Sequence, residues 1–287
     1  MQNKRRVTIL SDNRTKNPER FQTEHGLAVL YEAGDITLLL DTGASDLLFH
    51  NAKELDIDLG NVDLVFLSHG HADHVGGLEA FLNHNYIARI VVSPEAMNGS
   101  FFSKRDHLHS ITTEWPTAAR PGRTMPITQN QKILARAGKS FEEGGGIYVI
   151  ADIPHKHPQP EGNHNLFVKT GDDQYEPDDF RHELALYADG MLYTGCAHSG
   201  LENILEACPW PVHTVIGGFH LLDPHLSDSY EQPEAIKALA QRLVERYPKT
   251  TFYTSHCTGD AAFQTLKAVM GEQLQPFYCG LQFYLPT

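Results

Sequence analysis

Four side chains of the types that bind metal ions lie within six residues of one another: His69, His71, Asp73 and His74. His69 and His71 are two residues apart in a predicted turn, so we expect them to point into one cavity. Asp73 and His74 lie further around that turn and are expected to face a second, nearby point. Imidazole nitrogens and carboxylate oxygens suit zinc, and manganese and iron also accept them. The spacing therefore predicts a metal site.

The number of ions decides what this motif can do. One ion held by all four side chains would have a filled coordination shell and a structural role. Two ions would each need ligands from elsewhere in the chain, which leaves room for water and substrate. The motif follows the apolar run 62–67, which predicts a buried strand, and precedes a predicted helix start at 78–82. It thus lies at the carboxyl end of a strand, where α/β enzymes commonly place their sites.

Three later histidines also follow strand-like segments: His198, His220 and His256. Helix-like segments come after two of them, at 201–206 and 261–270. Three such junctions favour a convergent site over three accidents. For each junction alone, the alternative is a histidine that makes ordinary hydrogen bonds within its turn.

The pattern His-x-His-x-Asp-His after a strand resembles the metallo-β-lactamase superfamily of metal-dependent hydrolases. Three further segments resemble one branch of that superfamily: Gly-Cys-Ala-His-Ser-Gly at 195–200, Gly-Gly-Phe-His at 217–220 and Ser-His-Cys-Thr-Gly at 255–259. Members of the branch are often labelled 7,8-dihydropterin-6-yl-methyl-4-(β-D-ribofuranosyl)aminobenzene-5′-phosphate synthase. The resemblance covers nearly the whole chain, from Thr8 to Tyr284.

The resemblance implies a ligand set for two ions. His69, His71 and a later histidine would hold the first ion, while Asp73, His74 and a histidine near the end of the chain would hold the second. The later histidines are expected to be His198 and His256. Zinc is the expected metal, two divalent ions are expected, and iron or manganese are alternatives.

The roles of two residues in the implied site are undecided, Cys196 and His220. Superfamily members have an aspartate that bridges the ions in a strand-end Gly-Asp, where this chain has Gly195 and Cys196. Either the Cys196 thiolate takes the bridging position, or Cys196 is a bystander and His198 is the ligand. His220 is either a ligand or, as we favour, a group that contacts the substrate or transfers a proton. Asp73 would orient the attacking hydroxide.

Asp41 lies in the sequence Asp-Thr-Gly-Ala, which is also the signature of an aspartic protease active site. Such a site needs two carboxylates that share a proton, and the chain contains no second Asp-Thr-Gly. A symmetric dimer could supply one, but the chain is much longer than such half-enzymes. The resemblance instead implies that Asp41 supports a metal-binding histidine, since such histidines need a hydrogen-bond acceptor.

Strand and helix segments recur in both halves of the sequence, which fits an α/β fold: the four-layer αββα sandwich of the metallo-β-lactamases. We expect a single domain over 1–287 with an irregular insertion at about 93–165. Much of that insertion is rich in proline and polar residues and has no apolar periodicity, which is unusual inside a compact domain.

The composition limits the partners. The chain has 287 residues with 23 Lys and Arg against 36 Asp and Glu, a formal charge of −13. Nucleic acid and anionic membranes would be repelled, and no apolar run approaches the length of a membrane span. With no apolar signal segment at the start, a cytoplasmic location is expected. Two divalent ions would offset about four negative charges where a small anionic substrate binds. The oligomeric state is left open.

The sequence therefore predicts a metal-dependent hydrolase-type enzyme. A mono- or binuclear metal centre would activate water against an ester, lactone or phosphoester-like substrate. The resemblance also implies two alternatives. One is a synthase-type transferase that condenses a phosphorylated ribose with a pterin in pterin cofactor synthesis, and the other is a relative that binds metal without catalysis.

Overall fold

The computed structural model describes residues 5–105, 107–115, 132–134, 141–144 and 146–286. Strands and helices are labelled in chain order. The described strands are β1 (Arg5–Ser11), β2 (Ala28–Ala33), β3 (Ile36–Leu40), β4 (Leu64–Phe66), β5 (Arg89–Val92), β6 (Phe101–Lys104), β7 (Leu108–Ser110), β8 (Lys132–Leu134), β9 (Phe141–Gly144), β10 (Ile147–Ile150), β11 (Leu166–Gly171), β12 (Gln174–Pro177), β13 (Ala185–Ala188), β14 (Met191–Tyr193), β15 (Thr214–Ile216), β16 (Thr251–Thr254), β17 (Leu274–Pro276) and β18 (Gln282–Tyr284). The described α-helices are α1 (Leu47–Glu54), α2 (Ala72–Val75), α3 (Leu78–His84), α4 (Pro94–Asn98), α5 (Leu201–Ala207), α6 (Pro233–Arg246) and α7 (Asp260–Met270).

The chain divides into two compact units, which are described separately. Unit 1 comprises residues 1–98, 112–136 and 278–287, and unit 2 comprises residues 99–111 and 137–277. Unit 1 therefore contains both ends of the chain, and unit 2 is largely a continuous segment.

Unit 1 is built on a seven-stranded sheet in the order β18-β1-β2-β3-β4-β5-β8. The strands from β18 to β3 pair antiparallel, and those from β3 to β8 pair parallel. Helices α1 and α3 cover one face, where Leu48 and Phe81 pack against Leu39 and Val65. All three residues of β4 are buried, as expected for a central parallel strand that is covered on both faces.

Unit 2 has a second seven-stranded sheet, in the order β17-β16-β15-β14-β13-β10-β9. The strands from β9 to β14 pair antiparallel and those from β14 to β17 pair parallel. Helices α5, α6 and α7 provide the crossovers between the parallel strands, which need such long connections. Their apolar faces pack on the sheet, with Ile204, Leu243 and Leu266 in one buried cluster with Val215 and Phe252.

A third, four-stranded antiparallel sheet in unit 2 has the order β12-β11-β6-β7. Its strands β6 and β7, with helix α4, lie within the segment 93–165 that we expected to be irregular. The insertion itself stays a prediction, but these residues form regular structure that the local sequence does not indicate. The reason is that β6 pairs with β11, where Phe102 faces Phe167, and a partner so far along the chain leaves no local periodicity. Residues 106, 116–131, 135–140 and 145 of the expected insertion lie outside the described residues.

The elements next to the candidate ligands are confirmed. The apolar run 62–67 contains β4, the segment 78–82 begins α3, and β14, β15 and β16 each precede one of the three later histidines. The assignment of 1–287 to a single domain stays a prediction. Within the described part of the chain, no helix is both long and apolar enough to cross a lipid bilayer.

Candidate functional site

In unit 1, the parallel strands β3 and β4 end side by side and place Asp41 beside Ser68. The Ser68 main-chain N–H donates to Asp41 Oδ1 at 2.7 Å, and the Ser68 hydroxyl donates to Oδ2 at 2.6 Å. Asp41 is completely buried and has a left-handed φ of 57°. Both oxygens of its carboxylate therefore accept hydrogen bonds inside the protein. In an aspartic protease, by contrast, the carboxylate faces the substrate and shares a proton with a second carboxylate.

The same two side chains fix two of the predicted metal ligands. His74 Nδ1 lies 2.6 Å from Asp41 Oδ2, and His69 Nδ1 lies 2.8 Å from the Ser68 hydroxyl. The main-chain oxygen of His74 also accepts hydrogen bonds from the N–H and hydroxyl of Thr42. Because Nδ1 of each ring is held on one side, Nε2 lies on the opposite side of the ring. A partner on the other nitrogen is what a metal-binding histidine needs.

His69, His71, Asp73 and His74, hereafter the unit 1 cluster, lie close together. The ring of His69 is 4.6 Å from that of His71 and 4.1 Å from that of His74, measured between centroids. All three rings are buried. Asp73 is partly exposed, with Oδ2 3.7 Å from His74 Nε2 and 3.4 Å from His25 Nε2.

Two glycines after the motif let this turn pack against the loop that carries Asp41. A Cβ atom at Gly76 would lie 2.2 Å from the main-chain oxygen of Ala44, and one at Gly77 would lie 2.2 Å from that of Thr42. Neither backbone can move without displacing the loop after β3. The pair of glycines is therefore required by the close approach of two backbones.

In unit 2, the carboxyl ends of β14, β15 and β16 meet at one edge of the sheet. They carry five buried side chains, hereafter the unit 2 cluster: Cys196, His198, His220, His256 and Cys257. The donor atoms of Cys196, His198 and His220 all lie within 4.8 Å of one another, and so do those of Cys196, His256 and Cys257. Cys196 is common to the two groups.

His198 is held from several sides. Its main-chain N–H donates to Glu183 Oε1 at 2.7 Å, and that of Ser199 donates to Oε2 at 2.6 Å. Its Nδ1 lies 3.1 Å from Asn163 Oδ1, and Phe180 stacks on its ring at 4.7 Å. Burial raises the pKa of Glu183, although the two N–H donors oppose the shift.

Three residues of these strand ends have left-handed backbones that side chains rarely adopt: Ala197, His220 and His256, with φ of 56°, 50° and 50°. Such conformations persist where surrounding structure holds them. The Asp223 carboxylate provides one such restraint on the segment between His256 and α7. It accepts hydrogen bonds from the main-chain N–H groups of Asp260 and Ala261 at the start of α7, each at 2.9 Å.

The electrostatics of the unit 2 cluster favour an ionised thiol. Burial opposes ionisation of Cys257, but the neighbouring Cys196 and the rings of His220 and His256 hold its pKa well below the usual value for cysteine. A thiolate is the form that binds metal.

The donors in both clusters fit divalent metal ions. Unit 1 offers imidazole and carboxylate, and unit 2 offers imidazole and thiol, which are all zinc ligands. The structure brings the four unit 1 candidates together, and it brings Cys196, His198, His220 and His256 together within unit 2.

Four supporting or neighbouring residues were not predicted: Ser68, Asn163, Glu183 and Cys257. Ser68 and Cys257 stand inside the motifs themselves, next to His69 and His256, so their proximity could have been anticipated. Asn163 and Glu183 reach His198 only through the fold, and nothing in the local sequence pairs them with it.

The chain is similar in sequence to a known family and to two proteins of one organism. Residues 23–161 match the family model described as the metallo-beta-lactamase superfamily. An uncharacterised protein of Methanocaldococcus jannaschii is 25% identical over 279 residues, which cover 96% of each chain. From the same organism, 7,8-dihydropterin-6-methyl-4-(beta-D-ribofuranosyl)-aminobenzene-5'-phosphate synthase is 25% identical over 91% of this chain and 90% of its own length.

Among solved structures, the crystal structure of Tm1679, a metal-dependent hydrolase of the beta-lactamase superfamily, is similar over 99% of this chain and 100% of its own. The TM-score is 0.76 and the sequence identity is 25%. The mixed α/β fold with several sheets is therefore that of the metallo-β-lactamase proteins, as the sequence predicted.

Proposed function

We propose that the chain is a metallo-β-lactamase superfamily enzyme of the metal-dependent hydrolase type, because residues 23–161 match the model of that superfamily and the fold is that of its members. The observation that carries the proposal is the packing of three buried imidazole rings in the unit 1 cluster: the ring centroids of His71 and His74 lie 4.6 and 4.1 Å from that of His69. Imidazoles held this close, with Nδ1 of His69 and His74 fixed by Ser68 and Asp41, have the arrangement of ligands prepared for a cation.

The proposed ligands come from both clusters. They are His69, His71, Asp73 and His74 in unit 1, and His198 and His256 in unit 2. The proposal includes two divalent ions, with zinc as the first candidate and iron or manganese as alternatives. Cys196 is the proposed bridging ligand, which is supported by its place in both donor groups of unit 2.

When bound, a divalent cation supplies Lewis acidity, which acidifies a water molecule and polarises an oxygen of the substrate. Asp73 is the residue we assign to holding the proton of the attacking water, because its carboxylate is the partly exposed member of the unit 1 cluster. His25, 3.4 Å from that carboxylate, can take part in the same proton exchange. His220 is assigned to contacting the substrate or to giving a proton to its leaving oxygen.

The proposed substrate is a small anionic molecule with an ester, lactone or phosphoester bond. An overall charge of −13 disfavours binding of a polyanion. A small anion is different, because bound divalent ions would supply positive charge only where the reacting group lies.

A synthase-type activity is the second candidate. It is favoured by one observation, the 25% identity to the M. jannaschii synthase over 91% of this chain. Metal ions held by the same ligands would then bind a phosphorylated ribose or a pterin for the condensation instead of activating water.

The experiment compares metal-loaded and chelator-treated full-length protein on phosphodiesters, lactones and carboxylic esters, with metal content measured in parallel. We expect turnover that depends on metal. Asp73→Asn should lower kcat by about 10²- to 10⁴-fold, the usual value of a proton-transferring group. Asp63→Asn, an exposed carboxylate at the opposite end of β4, should leave kcat unchanged.

Two results would reject the hydrolase. Metal-loaded protein that is inactive on every hydrolytic substrate but condenses a pterin with a phosphorylated ribose would establish the synthase. If metal-loaded protein is inactive in both assays, the remaining hypothesis is a relative that binds metal but does not catalyse a reaction.

A further inference from the structure

Cys257 is a buried thiol to which neither the superfamily pattern nor the proposed reaction gives a role. Its Sγ atom, Sγ of Cys196 and a ring nitrogen of His256 all lie within 4.8 Å of one another. We infer that Cys257 is a metal ligand, and that Cys196, His256 and Cys257 form a thiolate-rich site in unit 2 for a thiophilic divalent cation such as zinc. The inference rests on the proposed function only in taking Cys196 and His256 as ligands, and it requires no particular reaction.

The backbone at His256 explains how two adjacent side chains reach one point. Successive side chains of an extended strand point to opposite faces. Two residues after the end of β16, however, His256 has a φ of 50° and begins a short 3-10 helix over His256–Thr258. This turn places the ring and the following thiol in the same group of donors. A left-handed conformation is disfavoured for a residue with a Cβ atom, so the turn must be held by its surroundings.

Gly218 provides the space for the Cys257 thiol. A Cβ atom at Gly218 would lie 2.4 Å from Cys257 Sγ, which is far closer than non-bonded atoms can approach. The Gly218 N–H donates to the Gly195 oxygen at 2.6 Å, so its backbone is held against the loop that carries Cys196. Glycine at this position therefore lets Cys196 and Cys257 lie next to each other.

His220 gives an independent sign that this cluster accepts a ligand. Its side chain is buried, with the residue only 5% exposed, and neither ring nitrogen makes a well-directed hydrogen bond to any residue that the structure describes. One ring nitrogen lies within 4.8 Å of Cys196 Sγ. Burying an imidazole whose ring nitrogens lack well-directed hydrogen bonds is unfavourable. A cation held by the thiolates would give this ring either an anionic sulfur or the cation itself to contact.

The remaining two cysteines have surroundings of another kind. Cys208 lies in the apolar core of unit 2, and burial raises its pKa. Cys279, in unit 1, is hydrogen-bonded to the main chain of Asp12, and burial together with the Asp12 charge raises its pKa to about 12. Both remain neutral thiols near neutral pH and are poor metal ligands. They are therefore matched controls for Cys257.

The test is a titration of metal-free, reduced full-length protein with Co²⁺, which stands in for zinc, while thiolate-to-cobalt charge-transfer absorption is recorded in the near ultraviolet. Wild-type protein should develop the band. Cys257→Ser should lose one of two thiolates and about half of the intensity, whereas Cys208→Ser and Cys279→Ser should keep the full band. A band that is unchanged in Cys257→Ser would overturn the inference and leave Cys196 as the sole sulfur ligand.

A second measurement needs no variant and so does not depend on the folding of Cys257→Ser. X-ray absorption of zinc-loaded wild-type protein should contain a sulfur shell at roughly 2.3 Å, the zinc–thiolate distance, with more sulfur neighbours than Cys196 alone can supply. A spectrum with nitrogen and oxygen neighbours alone would overturn the inference while leaving the proposed hydrolase intact. Failure of the wild-type protein to retain any metal would reject both.

Discussion

The unit 1 cluster takes its four candidate ligands from one turn, whereas the unit 2 cluster takes its five from the ends of three strands. In unit 1, side chains hold side chains: Asp41 and Ser68 fix His74 and His69. In unit 2, the backbone does more of this work, through left-handed residues and main-chain N–H groups that donate to Glu183.

The two clusters also differ in their donors. The unit 1 cluster has nitrogen and oxygen donors and one partly exposed carboxylate, while the unit 2 cluster includes two buried thiols. Thiolates favour zinc and other thiophilic ions over manganese, magnesium and calcium, and carboxylates discriminate less. We therefore expect selectivity for metal to reside in unit 2 and the handling of water to reside in unit 1.

The largest effect should come from removing ligands of unit 1. In the double variant His69→Ala/His71→Ala, metal content should fall by about one ion per chain, since two of the four donors of the unit 1 cluster are lost while the ligands of the unit 2 cluster remain. Elemental analysis of purified protein measures this. His84→Gln, which changes an exposed histidine of the same unit, is the control. Retained stoichiometry in the double variant would refute the ligand assignment.

The next effect tests the side-chain support of unit 1. Asp41→Asn removes the charge that faces His74 Nδ1 and leaves one amide oxygen where the carboxylate now accepts from both Ser68 and His74. Losing such a partner typically lowers metal affinity by about 10- to 100-fold. A competition titration with a chromophoric chelator measures the change, with Asp63→Asn as control. Wild-type affinity in Asp41→Asn would mean that His74 is oriented by other contacts.

A smaller effect on metal affinity is expected for the backbone support of unit 2. Glu183→Gln turns an amide NH₂ toward one of the two N–H donors of His198 and Ser199, so a buried donor loses its acceptor. That should cost about 1–3 kcal/mol of unfolding free energy, measured by chemical denaturation. Metal affinity should fall by less than about tenfold, because Asn163 and Phe180 still hold the ring.

The control for Glu183→Gln is Glu176→Gln, an exposed carboxylate on β12. A loss of affinity as large as that of Asp41→Asn would contradict the distinction between the two clusters. It would mean that metal affinity depends as strongly on the residue that holds the backbone of unit 2 as on the residue that holds the side chains of unit 1.

The smallest effect lies away from both clusters. Hydrogen bonds from His157 and Arg246 lower the pKa of Glu206 to about 2. The ionised form is thus favoured in the folded protein, so its stabilisation is present above the ordinary carboxyl pKa and is lost as the pH falls toward 2. The melting temperature of Glu206→Gln should lie slightly below that of wild type at pH about 5, and the difference should shrink as the pH falls below the ordinary carboxyl pKa and close only near pH 2. A difference that grows with acid would contradict the assignment.

The sequence predicted the unit 1 cluster more completely than the unit 2 cluster, for a physical reason. His69, His71, Asp73 and His74 belong to one turn, so their spacing alone predicts proximity. The later histidines could be recognised as strand ends, but Cys257 could be placed beside Cys196 only when the parallel order β14-β15-β16 and the turn at His256 were known. The supports Asn163 and Glu183 depend likewise on long-range topology.

The fold was predicted well where local patterns carry the information. The central strands and the helices next to the candidate ligands follow apolar runs and helical periodicity. The four-stranded sheet of unit 2 was missed, because β6 and β11 are short and half-exposed and their pairing is distant in sequence. Half-exposed strands of this kind are stabilised by their partners rather than by their own composition.

The pairing of β18 with β1 has a consequence for how the molecule is made. Arg6 faces Tyr284 across this pair, and Cys279 bonds to the main chain of Asp12 beside it. During synthesis, β1 emerges early and must wait for nearly all of the later chain before this neighbour arrives. Until then one side of β1 presents unpaired N–H and C=O groups, which invite pairing with another chain. Until β18 has been made, this edge of β1 is therefore a place where the nascent protein can associate wrongly with another chain.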